Sequence, residues 1–161
     1  MKTSKVKLDY MPSVNFQIVG LASSEIDYKL AYGLTRGFDT DFYLLPEIVV
    51  EKEQPETATL FDFGANATPS YYSVYGNSDS GCRNSELLLI SNKCGASFLV
   101  DEFRSFDYLF IVRDDSSLDS DGALNTLRGI SGISGAYLMP FDKIKSKKTI
   151  YDLWDSLQNR Q

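Results

Sequence analysis

Alternation of apolar and polar residues predicts several strands in this chain. Positions 14–18 (VNFQI) alternate with a period of two, which is typical of a strand with one buried face. Residues 87–90 form a continuous apolar run, which indicates a strand buried on both faces. Pro46 interrupts another apolar segment and predicts an edge position or a bulge, because proline cannot donate to a strand ladder. The further predicted strands cover residues 42–45, 48–51, 59–63, 71–75, 86–91, 106–112 and 135–141.

Apolar residues at helical spacing predict two helices. In the first helix they recur at every fourth position, at Ile26, Leu30, Leu34 and Phe38. The preceding segment 23–25 (SSE) offers side chains that are typical of a helix N-cap, and Gly37 is placed to end the helix. The second helix carries Leu124 and Leu127 and is expected to end at Gly129.

The order of these elements predicts an α+β fold. The first and the last third of the chain each contain a strand, a helix and a strand, which is the order of a split βαβ unit. Two such units around an inserted β-hairpin region predict a mostly antiparallel sheet with helices on one face, in the ferredoxin-like manner. No repeat or linker divides the 161 residues, so we expect a single domain, 1–161, with ends at 1–10 and 143–161 that can move.

Composition excludes several kinds of catalytic site. The chain contains no histidine, which rules out Ser-His-Asp and Cys-His catalysis, zincin sites and haem bound by a proximal histidine. The formal net charge of −6 disfavours general binding to nucleic acid or to anionic lipid. We therefore expect no catalytic residue, no metal and no cofactor, and we favour a protein that is not an enzyme.

Sequence features that bear on location favour a cytoplasmic protein. The lysine-containing start is followed by Asp9, Pro12 and Asn15, so no apolar core of a signal peptide is predicted. No apolar run approaches the length of a membrane span, and we expect no membrane association. Cys82 and Cys94 lack the CxxC spacing and are predicted to be free thiols.

The acidic stretch 114–121 (DDSSLDSD) has two interpretations. An EF-hand alignment through Asp119 and Asp121 places Arg128 where the loop needs a bidentate glutamate, so a cation would meet the wrong charge. We therefore favour acidic and serine side chains that bind the free N–H groups at the start of the second helix. A weak Mg²⁺ or Ca²⁺ site is the alternative.

The segment 100–108 (VDEFRSFDY) resembles the signature of the IPExxxVDY proteins, a bacterial family found mainly in Bacteroidetes. Three residues match the signature, namely Glu102, Asp107 and Tyr108. Val100 and Phe106 are apolar substitutes, and Asp101 replaces the proline. The resemblance extends to segments 7–10 (KLDY), 27–28 (DY) and 89–92 (LISN). It implies a small protein with no established activity.

The matching residues Glu102, Asp107 and Tyr108 allow a functional and a structural interpretation. Paired carboxylates can divide acid and base roles when their surroundings separate their pKa values. Spacing favours the structural interpretation, in which Glu102 accepts backbone donors in the turn before the strand. Asp107 and Tyr108 are expected to point to opposite faces of that strand and so to occupy different pockets.

Positive charge is concentrated near the two ends of the sequence. Residues 1–10 and 141–150 carry a balance of +5, whereas the remaining residues carry −11. Segment 149–157 (TIYDLWDSL) predicts an amphipathic helix that contains the only tryptophan of the chain. Solvated, frayed ends are the structural alternative. The candidate interaction residues are Lys143, Lys145, Lys147, Lys148 and Trp154.

Two functions remain open on the sequence alone. The favoured hypothesis is a non-catalytic cytoplasmic protein that contacts a macromolecular partner through its basic ends and its C-terminal helix. An unidentified protein is the favoured partner, and RNA is the weaker candidate because no RNP-like motif accompanies the lysines. The second hypothesis is a histidine-free enzyme or small-ligand sensor that uses Glu102 and Asp107 with a nearby tyrosine or Lys93.

Overall fold

A computed structural model describes residues 16–51, 68–79, 81, 85–113, 119–140, 144–145, 148, 151–152 and 155. In order along the chain, the elements of this part are β1 (Phe16–Ser23), α1 (Asp27–Phe38), β2 (Tyr43–Val50), β3 (Ser70–Gly76), β4 (Leu87–Ser91), β5 (Lys93–Cys94), β6 (Ser97–Phe98), a 3-10 helix (Asp101–Phe103), β7 (Tyr108–Arg113), α2 (Ser120–Arg128) and β8 (Ile133–Met139).

Six of the strands form one sheet in the order β2-β3-β4-β7-β1-β8. Every neighbouring pair in this sheet is antiparallel. Strand β1 lies between β7 and β8, so the connection through α2 passes over β1. The short strands β5 and β6 pair separately as a hairpin. The predicted α+β class with an antiparallel sheet is confirmed.

Both faces of the sheet are buried. Alternate residues of each strand point to opposite faces, so Val19 of β1 contacts the helices while Ile18 contacts the other core. Both α-helices pack on the same face, as predicted. The opposite face is covered in part by Val100, Phe103 and Ile144, which lie outside the strands. Strand β4 is buried at all four positions from 87 to 90, which confirms the expected burial on both faces.

Strand β2 confirms the interpretation of Pro46. It lies at one end of the strand order, and its register with β3 shifts between Leu45 and Ile48. An edge position and a bulge are both places where a residue without an N–H is tolerated. The two segments predicted around Pro46 are therefore parts of one bulged strand.

Helix α1 begins and ends differently from the prediction. Its N-cap residue is Ile26, with no side-chain cap, and Ser23 is not a cap. The Ser23 hydroxyl donates to the Gly132 carbonyl at 2.6 Å and accepts from the Glu25 N–H at 3.1 Å, so it closes a turn before the helix. Gly37 lies inside α1, and the C-cap is Asp39 in the left-handed region at φ 52°.

Gly37 serves packing between the helix and a neighbouring turn. A Cβ atom at Gly37 would lie 3.0 Å from Cδ1 of Ile130, and one at Gly33 would lie 2.8 Å from Cγ2 of Ile130. Ile130 follows α2 and is buried against this glycine pair. The small residue therefore permits close approach and does not stop the helix.

Helix α2 begins as the favoured interpretation of the acidic stretch predicts. Asp119 is its N-cap, and the Asp119 carboxylate accepts from the Gly122 N–H at 2.7 Å. Gly129 is the C-cap, as expected. Among the described residues, no group of three or more potential ligands is placed to hold a metal ion. Residues 114–118 lie outside the described part of the chain.

Several predicted features fall on residues that the structure does not describe. These are the strand at 59–63, Cys82, the basic residues 1–10, Lys143, Lys147 and Trp154. Cys94 is a free thiol, as predicted. Within the described residues, no helix has the length and apolar character that crossing a membrane requires.

Removing Arg128 is expected to promote self-association through β8. This edge strand (ISGAYLM) contains no charged residue or proline, although exposed edges usually carry such protection. Arg128 supplies a charge from α2, since its Nη2 donates to the Ala136 carbonyl of β8 at 3.0 Å. We expect Arg128→Ala to tighten self-association by about tenfold, a change of about 1.4 kcal/mol. Sedimentation equilibrium of wild type, Arg128→Ala and the control Arg104→Ala measures this, and equal association in all three would contradict it.

Candidate functional site

Asn92 organises the segment that carries the signature. This residue follows β4 and is 0% exposed. Its Nδ2 donates to the carbonyls of Phe103 at 2.8 Å and Phe106 at 3.1 Å, and its Oδ1 accepts from the Val100 N–H at 2.9 Å. The Asn92 N–H also donates to the Asp107 carbonyl at 2.9 Å. One buried side-chain amide thus bonds to three residues of the turn, from Val100 to Phe106.

Glu102 holds a different part of the chain. It lies in the 3-10 helix, and its Oε1 accepts from the backbone N–H of Lys145 at 3.0 Å. Asp101, which stands where the family pattern has proline, is the first residue of this helix, a position that tolerates proline. Asp101 pairs with Arg104 at 3.1 Å, and both side chains are about two-thirds exposed, so this ion pair contributes little.

Asp107 joins three elements at the start of β7. Its Oδ2 accepts from the Ser23 N–H at 2.9 Å, at the end of β1. Its Oδ1 accepts from the ammonium group of Lys93 in β5 at 2.6 Å. The Asp107 side chain is 25% exposed, so its charge is partly shielded from solvent. Both oxygens of the carboxylate are engaged in holding neighbouring strands.

Tyr108 bonds to the segment between β1 and α1, on the face of the sheet that the helices cover. Its hydroxyl donates to the Glu25 carbonyl at 2.7 Å, and the residue is 8% exposed. Asp107 accepts from the Ser23 N–H at the end of β1, and Tyr108 donates to the Glu25 carbonyl two residues later, so the two residues hold neighbouring points of one segment. Strand β7 begins at Tyr108, so Asp107 lies immediately before the strand.

The Tyr108 phenol predicts a fall in stability at high pH. Burial raises the pKa of Tyr108 to about 12, and the negative charges of Asp27 and Asp107 add to the rise. An unfolded tyrosine loses its proton near pH ~10, so above that pH the unfolded chain binds fewer protons than the folded chain. This one group is therefore expected to lower the free energy of unfolding by about 2 to 3 kcal/mol between pH ~10 and ~12, and to add no pH dependence below pH ~10.

Tyr108→Phe removes this titration. Urea unfolding at pH ~9 and ~11.5 is expected to show a larger loss of stability for wild type than for Tyr108→Phe. Other groups that titrate in this pH range contribute equally to both proteins, so their contribution cancels in the difference between the two losses. Equal losses in the two proteins would show that the phenol is not held protonated in the fold.

A groove of about 850 Å³ lies elsewhere, between α1 and the turn that connects α2 to β8. Its lining includes neither Glu102 nor Asp107. Two of its residues, Tyr28 and Tyr32, are 57% and 63% exposed. This groove was not predicted from the sequence; the signal that could have indicated it is a pair of tyrosines four residues apart on the polar side of α1.

The structure describes part of the predicted interaction segment. Lys145 and Lys148 are exposed, whereas Ile144 is 4% exposed and belongs to the core. The ring of Tyr151 meets the ring of Phe16 edge-on, with centroids 6.1 Å apart. The segment that leads towards Trp154 is thus attached to the sheet at two points. Lys143, Lys147 and Trp154 themselves lie outside the described residues.

Comparison with known proteins gives no assignment: no family model, curated protein or solved structure matches the chain. The resemblance to the IPExxxVDY signature therefore stays a prediction.

Proposed function

We propose that this chain is a non-catalytic cytoplasmic interaction protein that binds a macromolecular partner through its basic ends and the segment around Trp154. The observation that carries the proposal is the use of the signature carboxylates. Glu102 accepts from the Lys145 N–H, and Asp107 accepts from the Ser23 N–H. Both carboxylates hold backbone, and this favours a scaffold over an acid–base site.

The competing hypothesis, an enzyme or sensor built on Glu102 and Asp107, requires both carboxylates to face one concave pocket. Their hydrogen bonds lead to different parts of the chain, to Lys145 in one case and to Ser23 and Lys93 in the other. A carboxylate that acts as acid or base has to reach the proton it transfers. These bonds favour the binding protein over the enzyme.

Attachment of the C-terminal segment supports a partner surface. Ile144 is buried and the Lys145 N–H is bonded to Glu102, while the Lys145 and Lys148 side chains are exposed. Fixing the backbone in this way lowers the ordering cost of binding for the lysines beside it. The basic charge of residues 141–150 stands out against an acidic chain, which suits an acidic partner.

Membership of the IPExxxVDY family is part of the same proposal. Each of the three matching residues, Glu102, Asp107 and Tyr108, bonds to the backbone of a segment other than its own. A sequence pattern with these contacts would conserve the fold of the family members and not a catalytic site. This reading fits a family without an established activity.

The test is quantitative capture of partners from a cytosolic lysate. Wild type is compared with a variant in which Lys143, Lys145, Lys147 and Lys148 become glutamine and Trp154 becomes alanine. We expect wild type to capture a specific, saturable protein that the variant loses, with capture weakening as salt rises. Far-UV circular dichroism and urea unfolding establish that the variant is folded.

A matched control replaces two exposed cations outside this segment, Lys29 and Arg104, by glutamine. This control is expected to capture the same partner as wild type. Equal capture by the five-residue variant would overturn the proposal. Capture that disappears after nuclease treatment would replace the protein partner by RNA.

A further inference from the structure

We propose that the groove beside α1 binds a small planar aromatic compound that carries one anionic group. The inference goes beyond the proposed function, because it concerns residues outside the C-terminal segment. The groove of about 850 Å³ falls within the size range of small-molecule sites. The residues that line it include Glu25, Tyr28, Lys29, Tyr32, Arg36 and Ile130.

The aromatic character of the ligand follows from two exposed tyrosines that line the groove. Tyr28 and Tyr32 are one helical turn apart, so their side chains are neighbours on one face of α1. Both remain more than half exposed, and a ligand ring stacked on them would cover this apolar surface. Ile130 also lines the groove, is buried and packs against Gly33, so it adds a small apolar surface to that of the tyrosines.

The anionic group follows from the charges at the two ends of the groove. Glu25 and Lys29 lie 4.0 Å apart at one end, where they compensate each other. Arg36 lies about two turns further along α1, or about 11 Å from Lys29 along the helix axis. Within the described part of the chain, Arg36 takes part in no salt bridge. An anion is therefore attracted to Arg36 and repelled by Glu25.

These charges also give the ligand an orientation. Arg36 is four residues after Tyr32, so a ring stacked on Tyr32 can place its anionic group against the guanidinium. A carboxylate, a sulfate or a sulfonate can each serve as this anionic group, because each pairs with a guanidinium. A neutral ring of the same shape would gain the stacking without the ion pair.

The test uses two probes that differ by the anion alone. Anilinonaphthalene sulfonate is the anionic probe, and phenylnaphthylamine is the same ring system without the sulfonate. Wild type is expected to bind one molecule of the anionic probe per chain, measured by fluorescence titration and calorimetry. We expect the neutral probe to bind about fivefold more weakly, because the exposed ion pair is absent.

Single substitutions separate the two parts of the site. Tyr32→Ala is expected to weaken binding of both probes by about tenfold, because each stacks on the ring. Arg36→Gln is expected to weaken the anionic probe by about fivefold and to leave the neutral probe unchanged. Both side chains are exposed, so the fold should persist, and near-UV circular dichroism checks this.

Matched controls lie outside the groove. Tyr71→Ala removes a tyrosine of similar exposure from β3, and Arg104→Gln removes an exposed arginine. Both controls are expected to bind the two probes as wild type does. Binding that Tyr32→Ala and Arg36→Gln leave unchanged, or binding of several probes per chain, would overturn the proposal.

Other occupants of the groove give different results. If a second copy of the chain fills it, sedimentation of wild type shows a dimer that Tyr32→Ala dissociates, and the proposal fails. If the groove accepts a peptide alone, neither probe binds at one per chain, and the proposal fails as well.

Discussion

Replacing Asn92 by alanine is expected to lower the free energy of unfolding by about 4 kcal/mol. The substitution removes the partner of the Val100 N–H and of the Phe106 carbonyl, whereas the Phe103 carbonyl keeps the bond that it accepts from the Phe106 N–H. Asn92 is 0% exposed, so solvent has little access to the freed groups. An unsatisfied buried group costs about 1 to 3 kcal/mol, which makes the summed effect large against the total stability of a domain.

Urea unfolding of wild type and Asn92→Ala measures the difference, with Asn125→Ala as the control. Asn125 is exposed on α2, where alanine has the higher helix propensity, so its replacement is expected to change stability little. A loss of less than about 1 kcal/mol for Asn92→Ala would show that the turn does not depend on this amide.

Gly20→Ala is expected to cost about 2 kcal/mol through overpacking. A Cβ atom at Gly20 would lie 2.5 to 2.7 Å from three ring carbons of Phe106. Gly20 is central in the sheet, paired with Leu109 on one side and Tyr137 on the other, so its backbone cannot easily retreat. The Phe106 ring is also held by Tyr137, with centroids 5.8 Å apart.

A double-mutant cycle with Phe106→Val isolates this contact. The side chain of valine is smaller than that of phenylalanine and leaves room for the new methyl group. Gly20→Ala is therefore expected to cost at least 1 kcal/mol less in the Phe106→Val background, about half its cost in wild type. Additive effects of the two substitutions in urea unfolding would contradict the proposed clash.

Local patterns were sufficient to predict the six strands of the sheet, but not their order. The apolar run at 87–90 could be predicted as a strand buried on both faces, because such a strand needs apolar residues at every position. Pro46 could be placed at an edge or a bulge because it lacks an N–H, and both are found. These inferences depend on one element at a time, which is why periodicity reveals them.

Contacts between distant segments could not be predicted in this way. Ser23 and Asp107 are 84 residues apart in the sequence, and their hydrogen bond depends on the order of the strands. The N-cap of α1 was predicted wrongly for the same reason: the Ser23 hydroxyl bonds to the carbonyl of Gly132, which is distant in the sequence, and does not cap the helix. Gly37 was misread as a helix end since its partner, Ile130, belongs to another element.

The candidate site was predicted in part. Glu102 was expected to accept backbone donors in the turn before the strand, whereas its Oε1 accepts from the N–H of Lys145, 43 residues further along the chain. The role of Asn92 was missed, because an asparagine after a strand is equally typical of an exposed turn. The groove beside α1 was missed because a periodic pattern shows which face is buried and says little about the shape of the other.

Amide hydrogen exchange tests the central claim most directly, namely that the signature carboxylates hold backbone. The two reporters are the N–H groups of Ser23 and Lys145, bonded to Asp107 and Glu102 respectively. In Asp107→Ala we expect the Ser23 amide to exchange about tenfold faster or more while Lys145 keeps its rate, and in Glu102→Ala the reverse. Unchanged exchange of both amides in both variants would contradict the account, because the carboxylates would then be free for another role.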